Sequence, residues 1–180
     1  MKIQPGRRPR AIGRLLVLAA IVAIVLAGGA PAVCAQDTLG AHIGFVLPLV
    51  TRADGQTTGL TDGVSVGFPL GVTFIKGNAR MVYDLELVPS IQNTPRRTAL
   101  TIHPGVVWRL GRYGLGIRAA FDVNSASYGF TPLFNRSWAL DKSVFRSWFI
   151  EGVMPVRFNR PTGGLRSTPV SLGVHVGLGL

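Results

Sequence analysis

Val170-Ser171-Leu172-Gly173-Val174-His175-Val176-Gly177-Leu178-Gly179-Leu180 forms the C-terminal stretch, and its two parities differ completely. Val170, Leu172, Val174, Val176, Leu178 and Leu180 share one; Ser171, Gly173, His175, Gly177 and Gly179 share the other. A period of two is a strand, because successive side chains leave a pleated backbone on opposite faces. One face is wholly aliphatic and the other is small or polar. Such a strand suits a wall with lipid on one side and a crowded polar interior on the other.

The same alternation recurs upstream. It predicts strands over about Leu39–Leu49, Val64–Phe74, Ala79–Ile91, Ala99–Leu110, Tyr113–Val123, Tyr128–Leu140 and Val144–Phe158. Alternation weakens in Tyr128–Leu140 around Leu133-Phe134, where Pro132 also intervenes. Short turns are expected around Gly77, Gly111 and Lys142, and longer polar connections over Thr51–Asp62, Gln92–Arg97 and Asn159–Pro169. Only the brief Asn124–Ser127 link breaks this long-and-short order. Phe74, Trp108, Tyr113, Trp138 and Trp148 fall at the short-turn ends of the strands, as one interfacial girdle would.

Residues 1–35 read as an export signal. Lys2, Arg7, Arg8, Arg10 and Arg14 form a basic start, Leu15–Ala30 is apolar, and Val33-Cys34-Ala35 offers a cleavage site. The apolar run is shorter than the ~20 residues that a spanning helix needs. Cys34 is the only cysteine, and Val33 stands where a lipoprotein signal places a small residue. Cleavage after Ala35 therefore leaves a chain with no disulfide and no thiol nucleophile.

The net charge of +11 shrinks once the signal is set aside. Five of the 19 basic residues and none of the 8 acids precede residue 36, leaving 14 against 8, or +6. No dense basic run interleaves with aromatics, so no nucleic-acid partner is expected. Charged residues make up 15% of the chain, against about 25% for a soluble domain. That is too few to coat a soluble barrel.

The placement of those charges fixes which face points inward. Arg80, Asp84, Glu86, Arg109, Arg118, Asp122, Glu151 and Arg157 all fall on the glycine-bearing parity, as does His103. They are expected to form a polar network that fills the lumen, because eight strands leave an interior only wide enough for side chains. Closing the third and fourth strands symmetrically puts Glu86 opposite His103 and Asp84 opposite Gly105. Closing the next turn puts Gly105 opposite Arg118. Asp84 and Arg118 then share a row, and buried charges need such pairing. Arg146 falls on the aliphatic parity, near a strand end where a charge costs only about 0–1 kcal/mol.

The reading is all-β: an eight-stranded antiparallel up-and-down transmembrane β-barrel over 36–180, after a cleavable signal peptide over 1–35. In this pattern the chain resembles the small eight-stranded outer-membrane barrels of the OmpA/OmpX type. The resemblance implies the bacterial outer membrane as location. It also implies outer-membrane lipids and the outer-membrane assembly machinery as partners, and a monomer. Members typically end in an aromatic residue, and this chain ends in Leu180. No peptidoglycan-binding domain is expected after the barrel.

Chemistry is less legible. Small barrels that modify lipids use Ser/His/acid sets near the outer rim. The histidines here are His42, His103 and His175, and His103 lies in Thr101-Ile102-His103-Pro104-Gly105 without the His-x-Ser arrangement of lipid A deacylases. No catalytic residue, metal site or cofactor is expected. The role expected is structural or surface-interacting. A lipid-modifying enzyme, a narrow transporter of small apolar molecules and a soluble lipocalin-like barrel are the alternatives. Arg52, Arg96, Arg97, Arg160 and Arg166 fall in the outer connections, where guanidinium groups suit lipopolysaccharide phosphates.

Overall fold

In a computed structural model of the chain, Phe45 lies opposite Val176 and His42 opposite Gly179. This pairing of the first strand with the last closes the sheet. The structure describes residues 38–93, 95–141, 144–159 and 166–180. The expected signal over 1–35, with Cys34, lies outside the described residues, as do Lys142 and Arg160.

The elements are β1 (Thr38–Ala53), β2 (Gln56–Gly59), β3 (Ser65–Gly67), β4 (Leu70–Ile75), β5 (Met81–Asn93), β6 (Arg96–Leu110), β7 (Tyr113–Asp122), β8 (Tyr128–Ala139), β9 (Ser147–Val153), β10 (Val156–Phe158) and β11 (Val170–Gly179). No helix occurs among the described residues. β2, β3 and β4 follow one another along β1, and β9 and β10 follow one another along β8. The result is a closed antiparallel barrel of eight staves with neighbours in chain order. One rim, here the lower, carries Thr38, Leu180 and the turns at Gly77 and Gly111; the other is the upper rim.

Two stretches expected as polar loops at the upper rim are strand instead. β1 continues to Ala53, and β2 returns along it with Ala53 opposite Gln56. The two residues between, Asp54 and Gly55, have φ of 52° and 80°. That is the primed two-residue turn whose twist matches a hairpin, and Asp-Gly is its usual sequence. Likewise β5 and β6 stay paired up to Asn93 opposite Arg96. β1, β5 and β6 are 16, 13 and 15 residues long, more than the ~9–11 that cross a bilayer. Gly55→Val puts a β-branched residue in the left-handed region, which costs about 1–2 kcal/mol. A urea titration should show the midpoint falling accordingly, with the slope unchanged.

Proline decides where staves break. The second strand, expected unbroken over Val64–Phe74, is interrupted at Phe68-Pro69, and the seventh at Met154-Pro155. A proline has no N–H for the ladder, but its carbonyl still accepts. Gly44 N–H donates to Pro69 O at 3.0 Å and Ser171 N–H to Pro155 O at 2.9 Å. Pro132 does not break β8, which pairs without interruption to β7 and keeps Leu133 buried inside. The short Asn124–Ser127 link is held by its own hydroxyls. Ser125 Oγ donates to Asp122 at 3.0 Å, and Ser127 Oγ donates to Asn159 at 2.6 Å.

The barrel is inside out relative to a soluble one. Among the described residues, six hydrophobic side chains are buried and ten polar or charged ones are. Thirty large hydrophobic side chains are exposed, Leu39, Phe45, Leu115 and Leu172 among them. The buried apolar set Val82, Val107, Leu133 and Val153 follows a single row across the staves, through Gly116.

Candidate functional site

Residue pairing carries the polar side chains inward along rows that cross the staves. One row reads Thr73, Asp84, Gly105, Arg118 and Thr131. A second reads His42, Gly71, Glu86 and His103. A third reads Gly114, Asn135, Glu151 and His175. Each row sets large ionisable residues beside glycines or other small groups. Glycines at Gly71, Gly105 and Gly114 make room for those side chains in an interior only wide enough for side chains to fill.

Arg118 is the centre of the cluster, with 4% of its surface exposed. Its Nε donates to Asp84 Oδ2 at 2.6 Å. Nη1 donates to Glu151 Oε1 at 2.6 Å, and Nη2 lies 3.4 Å from Glu151 Oε2. Nη2 also lies 3.1 Å from Glu86 Oε1. One planar fork thus engages three carboxylates from β5 and β9, the task for which guanidinium geometry is suited.

The histidines complete the carboxylates' shells. His42 Nε2 donates to Glu86 Oε1 at 2.8 Å. His175 Nδ1 donates to Glu151 Oε1 at 3.1 Å and is 3.9 Å from Glu86. Arg157 donates from Nη2 to His103 Nε2 at 3.0 Å and from Nη1 to Thr131 Oγ1 at 3.2 Å. Arginine cannot accept, so His103 Nε2 holds the lone pair and its Nδ1 carries the proton, 3.7 Å from Glu86 Oε2. Phe149 meets the His175 ring edge-on at 4.9 Å and the His42 ring at 5.8 Å. His175 Nε2 is the one buried side-chain polar atom among the described residues without a hydrogen-bond partner.

The network expected from sequence is therefore partly assembled. The structure brings together Asp84, Glu86, His103, Arg118, Glu151 and, through His103, Arg157. It pairs Glu86 with His103 and Asp84 with Gly105, and Gly105 with Arg118. Arg80 and Arg109 are not in the network; both are exposed at the lower rim, beyond reach of the buried acids. Asp122 stands apart near the upper rim, bonded to Thr101 at 2.9 Å. His42 and His175 belong to the cluster, although no carboxylate was expected beside them. Nothing local in sequence reveals that, since Glu86 and Glu151 reach them from other staves. Of the outer arginines, Arg52, Arg96, Arg97 and Arg166 are exposed at the upper rim.

Three carboxylates, one guanidinium and three imidazoles meet inside the lumen at this level. Below them a cavity of about 300 Å³ runs from Asp84, Arg118 and Glu151 to Gly111 and Leu180 at the lower rim. Two sets of donor atoms, His42 with Asp84 and Glu86, and Glu86 with Glu151 and His175, lie within 4.8 Å of one another. One oxygen of each of these three carboxylates already binds Arg118. The cluster ties β5, β7 and β9 together across the lumen, and His175 Nε2 is the buried polar atom that it leaves unpartnered among the described residues.

Gly105 sets the clearance for Arg118. A Cβ there would stand 2.5 Å from Arg118 Cγ and 2.7 Å from the Ile117 carbonyl. The backbone contact cannot swing away. Gly105→Val is expected to cost about 1–3 kcal/mol by overpacking. Chemical denaturation with tryptophan fluorescence would register it, and an unchanged midpoint would mean that the wall yields at this point.

No family model matches the chain, and neither does any curated protein.

Proposed function

We propose that the chain is a small outer-membrane β-barrel of the OmpA/OmpX type, with a structural or surface-interaction role and a lumen filled by side chains. One observation carries the reading: large apolar side chains are exposed over the height of the exterior, while Asp84, Glu86, Arg118 and Glu151 are buried inside. Soluble monomers rarely show apolar patches beyond a few hundred Å², and thirty exposed large hydrophobic side chains far exceed that. A barrel buried in acyl chains resolves the conflict, because closure leaves no unpaired edge in the hydrocarbon. Residues 1–35 then act as the export signal, and the assembly machinery of the outer membrane inserts the barrel.

The upper rim faces outward in this reading. Its tall hairpins carry Arg52, Arg96 and Arg97, with Arg166 nearby, and these contact lipopolysaccharide phosphates. The chain works without a catalytic residue or cofactor, as a monomer. Membrane fractionation followed by electrophoresis with and without boiling tests class and location together. A heat-modifiable band in the outer-membrane fraction is the expected result. Recovery in the soluble fraction overturns the reading, and a changed lipid A or phospholipid acyl pattern on deletion overturns the non-enzymatic role.

A further inference from the structure

The outer wall near the lower rim carries a second built arrangement, separate from the cluster around Arg118. Tyr113 of β7 stacks on Phe134 of β8, with ring centroids 5.6 Å apart and planes 19° from parallel. Trp138 of β8 stacks on Trp148 of β9 at 4.1 Å and 10°. Arg136 lies between the two stacks, its guanidinium carbon 4.9 Å from the Trp138 ring centroid and 5.5 Å from that of Tyr113. Arg112 directly precedes Tyr113 in the Gly111 turn, and its carbonyl accepts from Ser137 N–H at 3.0 Å. Arg146 is anchored just before β9, its N–H donating to Gly179 O at 2.8 Å.

All three arginines are exposed, and none has a carboxylate within ion-pair distance among the described residues. Asp141 is the only described acid in the turns of this rim, against Lys76, Arg80, Arg109, Arg112 and Arg146. Three guanidiniums on one wall therefore lack an internal counter-ion. Ring faces hold Arg136 by cation–π attraction and leave the edges of its fork free. A phosphate ester matches that fork with two parallel hydrogen bonds.

We propose that this shelf binds the phosphodiester headgroup of an anionic phospholipid in the leaflet at the short-turn end. The inference rests on the membrane reading above. Charge complementarity selects the headgroup, and the wall above selects a lipid over a soluble anion. Ile150 is exposed directly opposite Arg136, Phe134 and Leu115 are exposed one step further up the wall, and the three continue the apolar exterior along which an acyl chain lies. Aromatic rings at the interface are placed to meet the glycerol level.

Trp138 and Trp148 are two of only three tryptophans and report on the site. The test reconstitutes the full chain in vesicles of brominated phosphatidylglycerol or brominated phosphatidylcholine and in mixtures of the two. Quenching gives the relative affinity for the anionic lipid. Wild type should prefer phosphatidylglycerol, and Arg136→Gln, Arg112→Gln and Arg146→Gln should each lower the preference about fivefold. Arg97→Gln, at the opposite rim, should leave it unchanged. Arg112 and Arg146 lie in turns, so their variants serve if Arg136→Gln fails to fold. Equal quenching by both lipids in wild type overturns this proposal while leaving the membrane reading standing. So does a preference that the lower-rim variants do not move, or that Arg97→Gln removes equally. Absence of quenching by either lipid overturns both.

Discussion

Arg118→Met is expected to destabilise the barrel by roughly 3–5 kcal/mol, the cost of removing one partner from a buried ion cluster. The side chain is nearly isosteric with the arginine stem, so the loss is electrostatic more than steric. Asp84, Glu86 and Glu151 stand 2.6, 3.1 and 2.6 Å from its guanidinium, and all three are buried. Without it they repel one another in a medium that screens poorly. Arg118→Lys keeps the charge but cannot make three directed contacts at once, and it should fall between wild type and Arg118→Met. Adding Asp84→Asn, Glu86→Gln and Glu151→Gln to Arg118→Met should restore most of the loss, because a cluster neutralised on both sides leaves no buried charge. Urea unfolding in detergent, followed by the heat-dependent gel shift, measures this. A wild-type midpoint for Arg118→Met would mean that the carboxylates do not depend on that cation.

Val176→Arg should cost about 2–4 kcal/mol on the proposal that acyl chains cover the exterior, whereas Leu110→Arg should cost about 0–1. Val176 is 43% exposed and neighbours His175 at the level of the cluster; Leu110 is 56% exposed and ends β6 at the lower rim. Similar exposure thus meets different surroundings. In water both substitutions would stay within about ±0.5 kcal/mol, the usual range for surface positions. The depth dependence is the discriminating quantity. Equal, small effects at the two sites would turn the exterior to solvent and sink the membrane reading.

Legibility followed physical range. At the upper rim, Thr51–Asp62 reads as loop because polar residues replace the apolar parity there, although pairing continues through β2. Hydrogen bonding does not need an apolar face, so hydrophobic alternation stops before the strand does. Asp54-Gly55 did carry the hairpin signal, but it was hidden among polar neighbours. The prolines have the opposite character: Pro69 and Pro155 coincide with breaks that alternation alone passes over, while Pro132 sits within an unbroken strand. The outcome depends on what each proline's neighbours in adjacent staves can still donate.

The amino-acid order by itself determined the all-β class, the eight staves, which parity is charged, and the Asp84–Gly105–Arg118 row. Each follows from side chains alternating across a pleat or from a turn pairing adjacent strands, and both are local. Only the tertiary structure decided that Asp84, Glu86 and Glu151 converge on Arg118 with His42 and His175 bonded behind them, and that Arg80 and Arg109 stay outside the cluster. Contacts across a lumen depend on closure and on the stagger between staves far apart in sequence. No repeat of two residues encodes that distance.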